Sequence, residues 1–391
     1  MLRLLVVACS LCCAEAARSP IVLVGLYNTS TWSGHPIETA SYTLPSVFTY
    51  NLRSDGTLSP IGRASAGLNV SWLTRHPKHD DLLYAVNEVN EYNGSKTGSV
   101  TTLRLDGATG TIAVAGRAAT HAAGPVFTTV DSTGRWLLVA NYVGGVLTVL
   151  PIEADGTVGA DAADAQFQGA GSHSVYTKNS GFVLAPVLGA DKVDLWRLDP
   201  TDGKLTPNPT SSHLSLPAGF GPRHLAFSPT DPSLVLLANE GGAATPSRLT
   251  HCAYDSATGV LTALRTLSTL PAGSDPAGLY PAEVLFAPDG GHAYVSVRDA
   301  TDAKRDAVAI FRIAPHAAGN ATAAEVALIG TVHTGHYPRS MALDPSGRLL
   351  VVANQKGATV STYVRDDATG LLTPTGHSAT FPDAPGFVLV V

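Results

Sequence analysis

One pattern recurs along this chain and limits its fold more than any other feature. It runs apolar strand, polar turn, second apolar strand, longer third strand, then a Gly-bearing turn and a fourth strand. Asp131-Ser-Thr-Gly-Arg-Trp-Leu-Leu-Val-Ala-Asn141 is one copy of the turn and second strand, and Asp344-Pro-Ser-Gly-Arg-Leu-Leu-Val-Val-Ala-Asn354 nearly repeats it. Further copies run from Lys178 to Pro186 and from Ala287 to Ser296, with looser ones from His76 to Asn87 and from Pro229 to Asn239. These units lie about fifty residues apart, a spacing typical of propeller blades. Gly turns that reverse an antiparallel chain follow the third strands near Asp106, Asp199, Asp255 and Asp367. A seventh unit is split: Ile21 to Tyr27, Val47 to Leu52 and Thr57 to Ala64 have no first strand ahead of them, while Gly386 to Val391 stands alone at the other end. Joining the two removes an open sheet edge. The expectation is an all-β chain, a seven-bladed β-propeller closed by pairing of its N- and C-terminal strands.

Composition agrees, with 14% charged residues, 38 Gly and 26 Pro, which suits a turn-rich sheet protein. The net charge is −6 and no basic block exceeds two residues, so neither nucleic acid nor an anionic membrane is an expected partner. Met1-Leu2-Arg3 followed by an apolar run from Leu4 to Ala14, too short to span a bilayer, reads as a signal peptide. Small residues at Ala14 and Ala16 place cleavage before Ala17, giving residues 1–16 as the signal and 17–391 as one secreted domain. Cys9, Cys12 and Cys13 leave with that segment. The remaining Cys252 allows neither an internal disulfide nor a thiolate metal cluster. Sequons at Asn28, Asn69, Asn93 and Asn320 suit entry into the secretory pathway.

Propeller geometry locates the polar residues. The first strand of each blade is innermost and antiparallel to the second, so the start of the first and the end of the second share one mouth of the central channel. Starts of first strands carry His173, Arg223 with His224, Glu283 and Arg339. Ends of second strands carry Asn87 with Glu88, Asn141 with Tyr142, Asn239 with Glu240, Arg298 with Asp299, and Asn354 with Gln355. Turns need only Gly, Asn or Asp, so this many arginines, histidines and carboxylates at one rim exceeds turn chemistry. Arg–Glu staples between blades account for part of the set, Glu283 and Arg339 first among them.

Gly-Pro-Arg-His with Phe-Ser-Pro (Gly221 to Pro229), Pro-Asp-Gly followed by Tyr-Val-Ser-Val-Arg-Asp (Pro288 to Asp299), and Pro-Arg-x-x-x-Leu-Asp-Pro-Ser-Gly followed by Val-Ala-Asn-Gln (Pro338 to Gln355) resemble the seven-bladed propeller lactonase family. That family holds bacterial 6-phosphogluconolactonases and fungal carboxy-muconate lactonising enzymes. The resemblance implies a site of His173, Arg223, Glu240 and Arg298, by matching blocks. The secretory signal departs from the cytosolic sugar-phosphate lactonases.

Opening a lactone needs a polarised carbonyl, an activated water and a home for the oxyanion. His173 is the expected general base, Arg223 and Arg298 the anion and oxyanion contacts, and Glu240 the partner orienting one of them. His224, Arg339, Gln355, Asn141 and Glu88 are expected around a small anionic lactone or carboxylate. No serine-hydrolase elbow, zinc helix or phosphate loop is present, and no cofactor or metal is expected. A rival reading uses Glu88, Asn141 and Glu240 as calcium ligands, with Arg223 and Arg298 opposing a cation there. The alternatives are a lactonising cycloisomerase and a non-catalytic secreted scaffold. Trp32, Trp72, Trp136 and Trp196 are scattered along the chain and offer a scaffold no aromatic patch.

Overall fold

The structure, a computed structural model, describes residues 19–28, 37–38, 44–177, 181–241 and 247–391. The expected signal segment with Cys9, Cys12 and Cys13 lies outside them, as does Trp32. Seven antiparallel sheets form the blades of a propeller. Blade 1 runs Ala384–Val390, Ile21–Tyr27, Val47–Leu52, Leu58–Ala64 from the centre outward, so the two ends of the chain share one sheet. Val22 faces Val390 and Val24 faces Val388, and the backbones of Ile21 and Val391 exchange hydrogen bonds of 2.8 and 2.9 Å. The other blades follow in chain order, with first strands at Val70–Arg75, Pro125–Val130, Tyr176–Thr177, Pro222–Phe227, Leu279–Phe286 and Pro338–Leu343.

The packing explains why the second strands read as unbroken apolar runs. Each is covered on both faces, because successive side chains point to opposite sides of a sheet and both sides meet a neighbouring blade. In blade 5, Leu234, Leu236 and Ala238 join the apolar cluster shared with blade 6, while Val235 and Leu237 join the one shared with blade 4. Every blade junction has such a cluster. The Asp-x-Ser/Thr-Gly turns are held by their aspartates. Asp131 accepts from Thr133, Arg135 and Trp136 backbone N–H groups, and Asp344 from Ser346 and Leu349. Gly134 and Gly347 supply the left-handed residue at φ 76° and 73°.

Two features differ from the sequence expectation. The first strand of blade 4 shrinks to Tyr176–Thr177, leaving His173 ahead of it and tied to the second strand by an isolated Ser172–Val187 bridge. Two glycines, Gly169 and Gly171 at φ 108° and 79°, bend the chain there and prevent a longer ladder. A two-residue parallel pair, Ile37–Glu38 with Glu91–Tyr92, links blades 1 and 2.

Candidate active site

The channel mouth is built by a repeated irregularity. In blade 5, Pro222 pairs with Asn239 but His224 pairs with Ala238, so Arg223 is an extra residue in the first strand. Such a bulge takes one residue out of the ladder and re-aims its side chain. The same shift makes Ser71, Val126 and Arg339 the extra residues of blades 2, 3 and 7 and Gly386 that of blade 1, and it falls within Ala282–Glu283 in blade 6. The Arg223 carbonyl freed from the ladder accepts the Ser174 hydroxyl of blade 4 at 2.5 Å. Just before the bulge, Asn69, Gly124, Gly221 and Tyr337 adopt positive φ, and their carbonyls accept from Glu88, Tyr142, Glu240 and Gln355 N–H groups at 2.7–2.9 Å. The bulge and this crossing bond bring the two sets of rim residues together.

Arg223 is 2% exposed and lies at the centre of the cluster. Its Nε is 2.9 Å from Glu240 Oε2, and its Nη1 donates to Ala282 O at 2.8 Å and to His224 Nε2 at 3.2 Å. Arg298 Nη2 reaches the same Glu240 oxygen at 2.9 Å and donates to Pro281 O at 3.1 Å. One carboxylate therefore bridges two guanidinium groups, where a single partner was expected. Among the described residues, Arg223 Nη2 and Arg298 Nη1 donate to no protein atom. Because His224 Nε2 accepts from Arg223, its proton sits on Nδ1, which donates to Glu283 Oε1 at 3.1 Å. That bond staples blade 5 to blade 6. Arg339 Nη2 donates to the Tyr27 hydroxyl at 2.7 Å, which in turn donates to Glu88 Oε2, stapling blade 7 to blades 1 and 2.

His173 stands against His224 with ring centres 5.2 Å apart, and Tyr142 meets it edge to face at 5.5 Å. Its Nδ1 is buried with no hydrogen-bond partner among the described residues. Gln355 is 2% exposed, and both polar atoms of its amide likewise lack a partner there. Asn141 Nδ2 donates to Val146 O and Thr148 Oγ1 inside its own blade, while its Oδ1 is buried with no partner among the described residues. Asn239 and Asn354 donate to third-strand hydroxyls in the same way, whereas Asn87 donates to Ala66 O and Leu68 O ahead of its blade and accepts from Ser99 through Oδ1. Of Glu88, Asn141 and Glu240, the set considered for calcium, the two carboxylates are thus engaged by Tyr27 and by two arginines. Among the described residues, no group of three or more His, Cys, Asp or Glu is placed to hold a metal ion.

Electrostatics follow from burial and the three arginines. Burial, then repulsion from Arg223, Arg339 and Arg298, holds the His173 imidazole well below its ordinary value. Burial and then Arg223 do the same for His224. Burial pushes the Glu283 carboxyl up to about 8, against the pull of Arg223. Burial would also raise Glu240, but Arg298 and Arg223 outweigh it and keep that carboxyl below its usual range. Burial and repulsion from Arg298 and Arg339 bring Arg223 down to about 10. The two histidines carry a consequence for stability. A group whose folded-state pKa is depressed contributes stability above its unfolded value and loses it as pH falls through the folded one. The histidines therefore pull the melting temperature down as pH falls below about 6.5, while Glu283, raised by folding, pulls it up as pH falls from about 8. The expected result is a difference: His173→Ala loses less stability toward acid than wild type. Thermal melts from pH 5 to 8 check this, and an unchanged slope would contradict it.

Three participants escaped the sequence reading. Tyr27 ends the second strand of the split blade, so the rule that found Glu88 and Glu240 would have found it once blade 1 was included. Tyr337 precedes Pro338 and lies under Arg298, the guanidinium carbon 5.1 Å from the ring centre. Trp72, expected to be merely one of several scattered tryptophans, sits at the hub, 4.1 Å from Phe127, 4.4 Å from Phe387 and 5.1 Å from His224 between ring centres. First strands meet at the axis, so residues far apart in the chain converge there.

Comparison with known proteins agrees with this architecture. The family model "Lactonase, 7-bladed beta-propeller" matches residues 34–390. The 6-phosphogluconolactonase of Bacillus subtilis is 26% identical over 318 residues, 78% of this chain and 83% of that protein. That of Pectobacterium carotovorum is 32% identical over 257 residues, covering 65% of this chain and 71% of its own length. The solved periplasmic gluconolactonase of Pseudomonas aeruginosa superposes with a TM-score of 0.80 at 26% identity, covering 95% of this chain and 99% of that one. With its seven blades closed end to end, a bulged arginine at the channel mouth and a family model matched from residue 34 to 390, this chain belongs to the seven-bladed β-propeller lactonase family.

Proposed function

We propose that the protein hydrolyses a sugar lactone of the 6-phosphogluconolactone type at this channel mouth. The observation that carries the reading is the pair of buried arginines sharing Glu240, each keeping one Nη donor unspent on protein among the described residues. Two planar donors held this rigidly suit an anionic group and the oxyanion that develops on the carbonyl. Three guanidinium groups face Glu88, Glu240 and a Glu283 held at about 8, so near neutrality the mouth keeps a surplus of positive charge. In this mechanism His173 takes a proton from water as its oxygen bonds to the carbonyl carbon. The ring C–O bond then breaks, and His173 returns the proton to the leaving alkoxide. Arg223 and Arg298 hold the oxyanion, Glu240 keeps their forks aligned, and His224 and Glu283 hold Arg223 from behind. Arg339, joined to Glu88 through Tyr27, and the Gln355 amide, unpartnered among the described residues, are the further substrate contacts.

Because the His173 environment favours the neutral ring, the base form persists into acid, and the acid limb of kcat/KM is expected below pH 6.5. A limb at or above that pH would remove His173 from the role. A panel of gluconolactone, 6-phosphogluconolactone and carboxy-muconates, with and without chelator, tests the function. Hydrolysis of a sugar lactone above its spontaneous rate, insensitive to chelator, is expected. Turnover of the muconate alone would favour the cycloisomerase, chelator-sensitive turnover would favour calcium, and turnover of nothing would leave a scaffold.

The apolar N-terminal run and the sequons further support a secreted protein. The fold sorts these sequons: Asn93 and Asn320 are exposed, whereas Asn69 is 4% exposed and its Nδ2 donates to Glu88 O at 3.2 Å. Folded protein secreted from a eukaryotic host is expected to carry glycan at Asn93 and Asn320 and none at Asn69. Peptide mapping reads this directly, and glycan at Asn69 would contradict it.

A further inference from the structure

We propose that Tyr337 is a positioning residue for Arg298, kept in an unfavourable backbone conformation so that its aromatic face can hold that guanidinium. The inference rests on the lactonase reading of the mouth and adds a residue to it. In blades 2, 3 and 5 the crossing bond before the bulge is made by a left-handed residue, Asn69, Gly124 and Gly221 in turn. Glycine adopts that region freely and asparagine tolerates it. Blade 7 places a tyrosine there at φ 66°, directly before Pro338, where a side chain is poorly accommodated. The crossing bond itself gains nothing from the ring, since Tyr337 O accepts from Gln355 N at 2.9 Å much as Gly221 O accepts from Glu240 N at 2.7 Å.

What the ring does is visible in its neighbours. The Arg298 guanidinium carbon lies 5.1 Å from its centre and Lys356 Nζ lies 4.6 Å from it. Both fall within the range in which a cation is attracted to an aromatic face. The backbone on each side is pinned by one buried carboxylate. Asp306 Oδ1 accepts Tyr337 N at 3.0 Å and also Asp299 N, the residue after Arg298, at 2.8 Å. Asp306 Oδ2 meets His336 Nδ1 at 2.9 Å. Asp306 is 3% exposed, so blades 6 and 7 are locked to one another where the ring meets the guanidinium. Arg298 is then held by Glu240 and Pro281 O through Nη2 and by the ring through its plane. That restraint sets where Nη1 points.

Strained residues at functional sites persist when the surroundings over-determine them, and substitution can separate strain from function. Four proteins would be compared: wild type, Tyr337→Phe, Tyr337→Leu and Tyr337→Gly. Glycine relieves the left-handed residue but also removes a buried ring, so it is expected to melt no higher than wild type. It is expected to lower lactone kcat/KM of the folded fraction about 10- to 100-fold, the scale of a desolvated cation–aromatic contact and the alignment it provides. Leucine, which keeps bulk and strain without an aromatic face, is expected to fall as far, and phenylalanine to stay within about threefold of wild type. A structural role alone would move stability and leave kcat/KM of the folded fraction untouched. Activity within twofold of wild type for leucine and glycine would overturn the proposal, as would phenylalanine falling as far as leucine. The Arg298 Nε–H resonance, assigned by its loss in Arg298→Lys, reads the contact without turnover. It is expected to shift on Tyr337→Leu as the ring current is lost, and an unmoved resonance would overturn the proposal. A wild type that hydrolyses no lactone while this resonance shifts would sink the lactonase reading and leave the positioning contact standing.

Discussion

Arg223→Lys is expected to reduce lactone turnover by about 10²–10³, the usual effect of losing one contact that acts mainly in the transition state. Lysine keeps a charge for Glu240 but has neither the planar fork nor the reach to serve Ala282 O, His224 Nε2 and a substrate together. Its ammonium would also be harder to keep charged, because burial and the Arg298 and Arg339 charges already depress the arginine at this position. Some stability will go as well, since the Ala282 carbonyl and His224 Nε2 lose their donor. Melting temperature and kcat should therefore come from one preparation, with His173→Ala and Glu240→Gln alongside. Glu240→Gln removes the charge that two guanidinium groups share, so both arginines should respond to it. Unchanged turnover of the folded fraction in all three variants would place the chemistry elsewhere.

Deleting Phe387 to Val391 is expected to abolish the stable fold. The deletion removes the pairing of Val388, Leu389 and Val390 with Val24, Leu23 and Val22, and the exchanged bonds between Ile21 and Val391. Phe387 and Val388 are 4% and 1% exposed, and Phe387 packs on Trp72 at the hub. Burial of each large apolar side chain is worth about 1.5–3 kcal/mol, and loss of a core phenylalanine alone typically costs about 3–5 kcal/mol. A domain stabilised by about 5–15 kcal/mol cannot absorb both with the lost ladder. Phe387→Ala, which keeps the backbone pairing, should lower the melting temperature and still fold. A truncated protein that melts with wild type would refute closure as the stabilising element.

The sequence made the fold legible because the second strands are apolar on both faces and their turns carry Asp and Gly at fixed places. Covered strands leave no polar alternation to blur the pattern, so Trp136 to Asn141 and Leu349 to Asn354 were plain. The antiparallel rule likewise brought Arg223, Glu240, Arg298, His173 and Arg339 to one mouth. What it could not supply was register. A bulge is one extra residue against a partner strand, and nothing in Pro222-Arg223-His224 by itself says which side chain leaves the ladder. For the same reason Asn141 looked equivalent to Glu88, although one bonds inside its blade and the other meets Tyr27. Tyr337 was missed because a tyrosine is an improbable occupant of a left-handed position, and only the dihedral angle exposes it.

The closure also sets a timetable for synthesis. Six blades are made from contiguous sequence, and each can pair as it emerges. Ile21–Tyr27 is different: its inner neighbour, Ala384–Val390, is translated only after all six other blades. At about 5–20 residues per second, that edge waits roughly 20–70 s for its partner. During the wait it presents unpaired backbone and the side chains of Val22, Leu23 and Val24, all fully buried in the finished ring. An exposed apolar edge of this kind pairs readily with another copy of itself. Production of this protein thus depends on the holding of a nascent seam, and dense loading of ribosomes on its message would set neighbouring chains against each other at that seam.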